Sequence, residues 1–236
     1  MINHADIENI IGCKTLVTDR MQWAIEDWYD AAINGLPLDK NPETLTLDLP
    51  ALLCAELARL TTLELEAKVE GSPRADWVNA RLQRVLTPRR RRIFTVALAL
   101  GSGIWKPYQS GKKLGISFCN AARYFPVAND VEGSLTEGVF IDSIQDDDNY
   151  YHRMEWMHVL ESRADLRDEE LAQLEDYDLA APAQFPCTKV VNLAFRSATQ
   201  DSLGSPEDLS IRPEWDNIQP VAYLTGLEKL PVGYFV

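Results

Sequence analysis

Up to Leu100, apolar residues recur mainly at three- and four-residue spacing, with one alternating stretch; beyond Gly103 they alternate. The chain therefore reads as helices first and strands after. Met21, Ile25, Trp28 and Ala32 mark one helical face, opened by Thr18 and closed by Gly35 and Pro37. The polar stretch from Pro37 to Leu47, with two prolines, reads as a loop. Asp48 and Pro50 supply a cap and a first-turn proline for a second helix, whose stripe is Leu53, Leu57 and Leu60. From Leu63 to Glu70 the pattern alternates strictly, which predicts a half-buried strand with a charged outer face, closed by Gly71. Ser72-Pro73 opens a helix through Trp77, Val78, Leu82 and Val85. Thr87-Pro88 opens another, through Ile93, Val96, Ala97 and Leu100, which Gly101 and Gly103 stop.

The strands follow. Segments 103–109 and 113–119 form a hairpin about Ser110-Gly111-Lys112, and Arg123 to Pro126 starts a third extended piece. Segments 137–145 and 150–161 pair around Asp146 to Asn149. In the second of these, Tyr150, His152, Met154, Trp156, His158 and Leu160 share one face. Tyr151, Arg153, Glu155 and Glu161 lie mostly on the other. An acidic helix is expected over 167–176, a Pro/Ala loop over 180–186 and a strand over 188–197. A loop with turns about Trp215 fills 200–220, and 232–236 reads as a strand cut short. The fold class is α+β, with N-terminal helices followed by a mainly antiparallel β region. Residues 1–236 form a single domain, or else a helical region (1–101) followed by a β-rich region (102–236).

Composition narrows the function. The 36 acidic against 23 basic residues give a net charge of −13, which opposes adsorption to nucleic acid and anionic membranes. Cys13, Cys54, Cys119 and Cys187 form no CxxC pair, so they read as buried thiols in a reducing compartment. No segment reaches the roughly 20 apolar residues of a membrane span, and the N-terminus has no signal-peptide pattern. A soluble protein, intracellular when made, is expected.

Few residues invite chemistry. His152 and His158 lie on one strand face, and Cys119 or Asp142 could complete a metal site with them. The simpler account is a packed or interface face shared with Met154 and Trp156. Asp146-Asp147-Asp148-Asn149 lacks the glycine and distal glutamate of an EF-hand loop and reads as a turn. Arg89, Arg90, Arg91 and Arg92 read either as the solvated first turn of a helix or as a docking site for acidic groups, protein acids before DNA. No phosphate loop, nucleophile elbow or HExxH pattern occurs. The expectation is no catalytic residue, no cofactor and no metal, with contact roles for Arg89 to Arg92, His152, Trp156 and His158.

The order of features resembles the wing portion of tailed-phage portal proteins, of the type found in long-tailed phages and prophages of Gram-positive bacteria. It runs through Trp23 and Trp28-Tyr29, then Ala55-Glu56-Leu57-Ala58, then Ala97-Leu98-Ala99-Leu100-Gly101-Ser102-Gly103 and Lys106-Pro107-Tyr108. Tyr124-Phe125-Pro126, Glu137-Gly138-Val139-Phe140, Tyr150-Tyr151-His152-Arg153-Met154-Glu155, His158, Trp215 and Pro231 to Val236 continue it. The resemblance implies a structural protein: a ring, usually dodecameric, at the capsid vertex of the virion, assembled in the bacterial host cytoplasm. Its implied partners are further copies of itself, the terminase, scaffold and capsid proteins, the tail connector, and DNA passing without sequence recognition, with no membrane. Portals of this type run to about twice this length. The stem, clip and crown are therefore expected to be absent, as in a fragment, a truncated prophage gene or a short relative. Two other readings stay open: another phage or prophage head–tail connector or assembly protein, and a hydrolase-like enzyme with an unrecognised site.

Overall fold

The computed structural model describes residues 1–235 except 38, 40, 42, 44–46, 64, 111–112, 163–164 and 166–184. It confirms α+β. Among the described residues are helices α1 (His4–Ile11), α2 (Asp19–Ala32), α3 (Leu49–Thr62) and α4 (Ala75–Leu100) and nine strands, all paired antiparallel. The chain divides into two compact units. One joins 1–18 to 123–231, the other joins 19–122 to 232–236. The boundary thus falls at 122/123, and the first helix belongs with the later strands.

The first unit is a six-stranded sheet of β3 (Tyr124–Asn129), β4 (Leu135–Asp146), β5 (Asn149–Leu160), β6 (Cys187–Ser197) and β7 (Ser205–Glu207), in that order, with β8 (Val221–Thr225) also on β6. The β4–β5 hairpin follows the sequence reading. Asp146 pairs with Asn149 across a two-residue turn, where Asp147 takes a left-handed φ of 50°. Strict period-two placement puts Val139, Ile141, Met154 and Phe195 on one face, under Ile7 and Ile11 of α1. Periodicity gave no helix before Thr18. Asn3 starts α1 by accepting the Ala5 N–H at 2.9 Å, and Gly12 ends it. The other face packs Ala194 against Leu209 and Trp215, beside Ile144, Tyr151 and Ile218. Leu209 begins a 3₁₀ turn to Ile211, so the expected loop about Trp215 is a second lid on the sheet.

The second unit packs α3 on α4 and both on α2, next to a three-stranded sheet ordered β2 (Lys113–Asn120), β1 (Gly103–Ser110), β9 (Gly233–Phe235). The β1–β2 hairpin matches expectation, with its turn at Gly111 and Lys112 outside the described residues. Gly103 leaves room for an aromatic ring: a Cβ there would stand 2.2 Å from the Phe118 ring, which meets Trp105 edge-on at 5.4 Å. The closing residues pair with β1 through Gly233, Tyr234 and Phe235.

Three expectations fail here. Segment 65–70 has no ladder partner among the described residues. Its burial does alternate, with Leu65, Ala67 and Val69 half-buried between exposed Glu66, Lys68 and Glu70. The amide of Asn79 clasps both backbone groups of Val69, at 2.8 and 3.0 Å, and Arg90 donates to the Leu65 carbonyl at 3.0 Å. The alternation reported a buried face correctly, but a helix supplies that face instead of a neighbouring strand. The two helices expected on either side of Thr87-Pro88 are one 26-residue helix, α4, whose C-cap Gly101 sits at φ 81°. Pro88 leaves the Arg84 carbonyl without its helical donor, a cost of about 3 kcal/mol that tertiary packing of α4 overrides. Third, Asp48 occupies the N-cap position of α3 in a left-handed conformation (φ 49°) and makes no side-chain capping bond to the helix. The expected acidic helix over 167–176 lies outside the described residues.

Candidate functional site

The histidine face of β5 is an interior. His152 has no exposed surface. Its Nδ1 lies 2.9 Å from Ser143 Oγ and its ring stacks on Tyr150 at 6.5 Å. Burial pushes His152 below the usual histidine range, the backbone carbonyl of Thr199 draws it partly back, and the Arg123 charge lowers it further. A contact role for this residue is thereby replaced by a core role. Trp156 is half-buried and its indole N–H donates to Glu137 Oε1 at 2.9 Å. His158 is half-buried and stands in register with Glu137 on β4 and Lys189 on β6. Asp142 pairs with Arg153, so it projects from the opposite face and cannot join the two histidines. Cys119 belongs to the other unit. Among the described residues no group of three His, Cys, Asp or Glu side chains could hold a metal ion.

Behind those histidines lies a charged network that the sequence did not announce. Arg153, only 9% exposed, meets Asp142 at 2.5 Å, Glu155 at 3.1 Å and Asn192 Oδ1 at 3.2 Å. The Asn192 amide in turn donates to the Gln219 carbonyl at 3.0 Å. This ties β4, β5 and β6 to the loop before β8. The buried guanidinium is thereby paired with carboxylates, as a buried ion requires. A cleft of about 290 Å³ runs along β6 beside this loop, bordered by Asn192, Glu207, Asp208 and Asp216. Two of its acids are engaged locally: Glu207 pairs with Arg196 at 3.0 Å and Asp208 accepts the Ser210 N–H at 2.8 Å.

The outward features are on the helices. In α3, Ala58 and Thr62 are buried, and Ala51, Cys54 and Ala55 are half-buried. Small side chains thus meet the neighbouring helices. The leucines point away: Leu49, Leu52, Leu53, Leu57, Leu60 and the following Leu63 are each 51% to 61% exposed. Helical geometry of 3.6 residues per turn gathers all six within about 140° of arc. The stripe Leu53-Leu57-Leu60, expected to face a core, is this exposed face. Of the α2 face marked by Met21, Ile25, Trp28 and Ala32, Ala32 is buried and Ile25 half-buried, but Met21 and Trp28 are 48% and 47% exposed. Small alanines allow closer helix approach than leucines do, and that is the signal that could have reversed the assignment.

One arginine of the 89–92 run acts on this surface. Arg89 to Arg92 lie inside α4, so the reading of a solvated first turn does not hold. Arg90 is held by the Leu65 carbonyl, Arg91 and Arg92 are exposed, and the Arg89 side chain lies outside the described residues. Glu56, within the leucine arc, is bonded by Arg59 at 2.6 and 2.8 Å. Its carboxyl is held below the usual range by that hydrogen bond, with a further contribution from the charge of Arg91. The apolar stripe of α3 therefore carries Arg59 and feels the charge of Arg91 from α4. Two of the four cysteines, Cys119 and Cys187, are buried as expected, and burial raises the Cys187 thiol; Cys13 and Cys54 are only partly covered.

No protein-family model matches this chain, and no curated protein is similar to it. No helix among the described residues is long and apolar enough to cross a membrane.

Proposed function

We propose that this protein acts by contact, as a structural subunit of a larger assembly, and that the assembly is the portal ring of a tailed phage or prophage. The observation that carries the contact role is the leucine face of α3. Six half-exposed leucines in one arc form a contiguous apolar patch of the size that marks interaction surfaces. The portal form rests on the order of sequence features. Support for it comes from the element order: a tryptophan-bearing helix, a leucine-rich helix and a long helix stopping at Gly101, then antiparallel hairpins. In this reading the chain is the wing of a subunit. Its work is positioning neighbouring copies, the capsid and the packaging motor about a channel, without catalysis or cofactor.

The test is direct. Electron microscopy and native mass spectrometry of the protein in its full open reading frame should show closed rings. A full-length protein that stays monomeric at every accessible concentration sinks the proposal. One that forms a small closed oligomer without a central channel points to another assembly role.

A further inference from the structure

Charge is unevenly divided between the two units. Residues 19–122 and 232–236 hold fourteen Lys/Arg against twelve Asp/Glu, a net +2. Residues 1–18 and 123–231 hold nine against twenty-four, a net −15, and the two sum to the −13 of the chain. Within the first set, residues 74–92 alone carry seven arginines and one aspartate. Within this unit α4 packs against α3, Arg91 and Arg92 are exposed, and the charge of Arg91 reaches Glu56 inside the leucine arc.

An apolar centre with an arginine border is the composition of a protein–protein interface. A DNA-binding face has no use for six exposed leucines, and a chain of −13 repels a polyanion at range. The partner must then be a protein surface of high negative charge, and the chain itself carries one. We propose that the α3–α4 face, Leu53, Leu57 and Leu60 with Arg59, Arg91 and Arg92, docks on the described residues of the acidic unit (1–18, 123–162 and 185–231) of a second copy. The inference rests on the assembly reading above and names its partner surface. The leucines expose on the order of 500 Å², above half of what each partner contributes to a standard interface. The two surfaces differ, so the contact is head-to-tail. Repeated, it closes into a ring or runs on as a filament instead of stopping at two copies.

Sedimentation velocity of the whole protein, over a concentration series at low and high salt, tests this. Wild type should associate beyond a dimer, and high salt should weaken it by about tenfold or more, since the border is charged and exposed. The double variant Arg91→Glu/Arg92→Glu should weaken association by a similar factor with an unchanged melting curve. Leu53→Ser/Leu57→Ser should do the same without altering the salt dependence that remains. If wild type associates and both double variants associate equally well, the surface is wrong while the assembly reading stands. A wild type that remains monomeric overturns both. Binding of wild type, but not the arginine variant, to anionic lipid vesicles or duplex DNA, without self-association, assigns the face to those partners and overturns the proposal.

Discussion

Gly204 shows how one residue can set a loop. It sits at φ 76°, and a Cβ there would stand 2.1 Å from the Arg196 carbonyl oxygen. Leu203 beside it is buried in the sheet core. Gly204→Ala combines a left-handed backbone with a backbone clash and should cost roughly 2 kcal/mol or more, read as a lower denaturation midpoint at unchanged m-value. The same loop shields His152, which stands in register with Ser143 on β4 and Phe195 on β6. Its folded pKa lies below its unfolded value of 6.5, so the unfolded chain binds the proton first. Stability is therefore full above that value and falls as pH drops from it towards the folded pKa. Glu8, held low first by the Lys14 ammonium at 2.6 Å, adds a second loss in the carboxylate range. Melting temperature measured from pH 8 to pH 3 should decline, and His152→Asn should flatten the section of that decline just below pH 6.5. An unchanged slope in the variant would assign it to other groups.

At the scale of elements, α3 and α4 teach opposite lessons about pattern. In α3 the three- and four-residue spacing located the helix, but its bulky side points outward, because Ala51, Ala55 and Ala58 are what the neighbouring helices accept. Truncating Leu53 or Leu60, each over half exposed, should thus change stability by less than about 0.5 kcal/mol, where a core leucine would cost about 2–5 kcal/mol. Urea denaturation of the single alanine variants decides this. In α4 the proline signal was followed locally but overridden globally. Pro88→Ala restores the missing donor to the Arg84 carbonyl and should stabilise the helix by up to about 3 kcal/mol, visible as a higher melting temperature. The hairpins of the first unit were the most legible elements. Alternation, an Asp/Asn turn and matched strand lengths all pointed to one register, and Asp146 does meet Asn149.

For the whole molecule, the division into a unit of −15 and a unit of +2 matters more than the net charge. Self-repulsion within the acidic unit should make moderate salt stabilising there. Fluorescence of Trp156 and Trp215, both in that unit, read in a variant with Trp23, Trp28, Trp77 and Trp105 replaced by phenylalanine, should therefore report a melting temperature that rises with added sodium chloride. An unchanged or lowered transition would mean that its ion pairs, such as Arg153 with Asp142 and Glu155, outweigh the repulsion.

Read alone, the amino-acid order specifies α+β, the helix start at Asp19, the stop at Gly101, and the β1–β2 and β4–β5 hairpins. Those follow from caps, glycines and side-chain period, which are local properties. What covers each face was settled by packing between distant segments. That packing set residues 65–70 against α4 instead of a strand, returned α1 to the sheet and buried Arg153 against Asp142. It also turned the leucines of α3 outward. Period fixes which side chains share a face; which face meets another element depends on the shape and charge of residues far away in the chain.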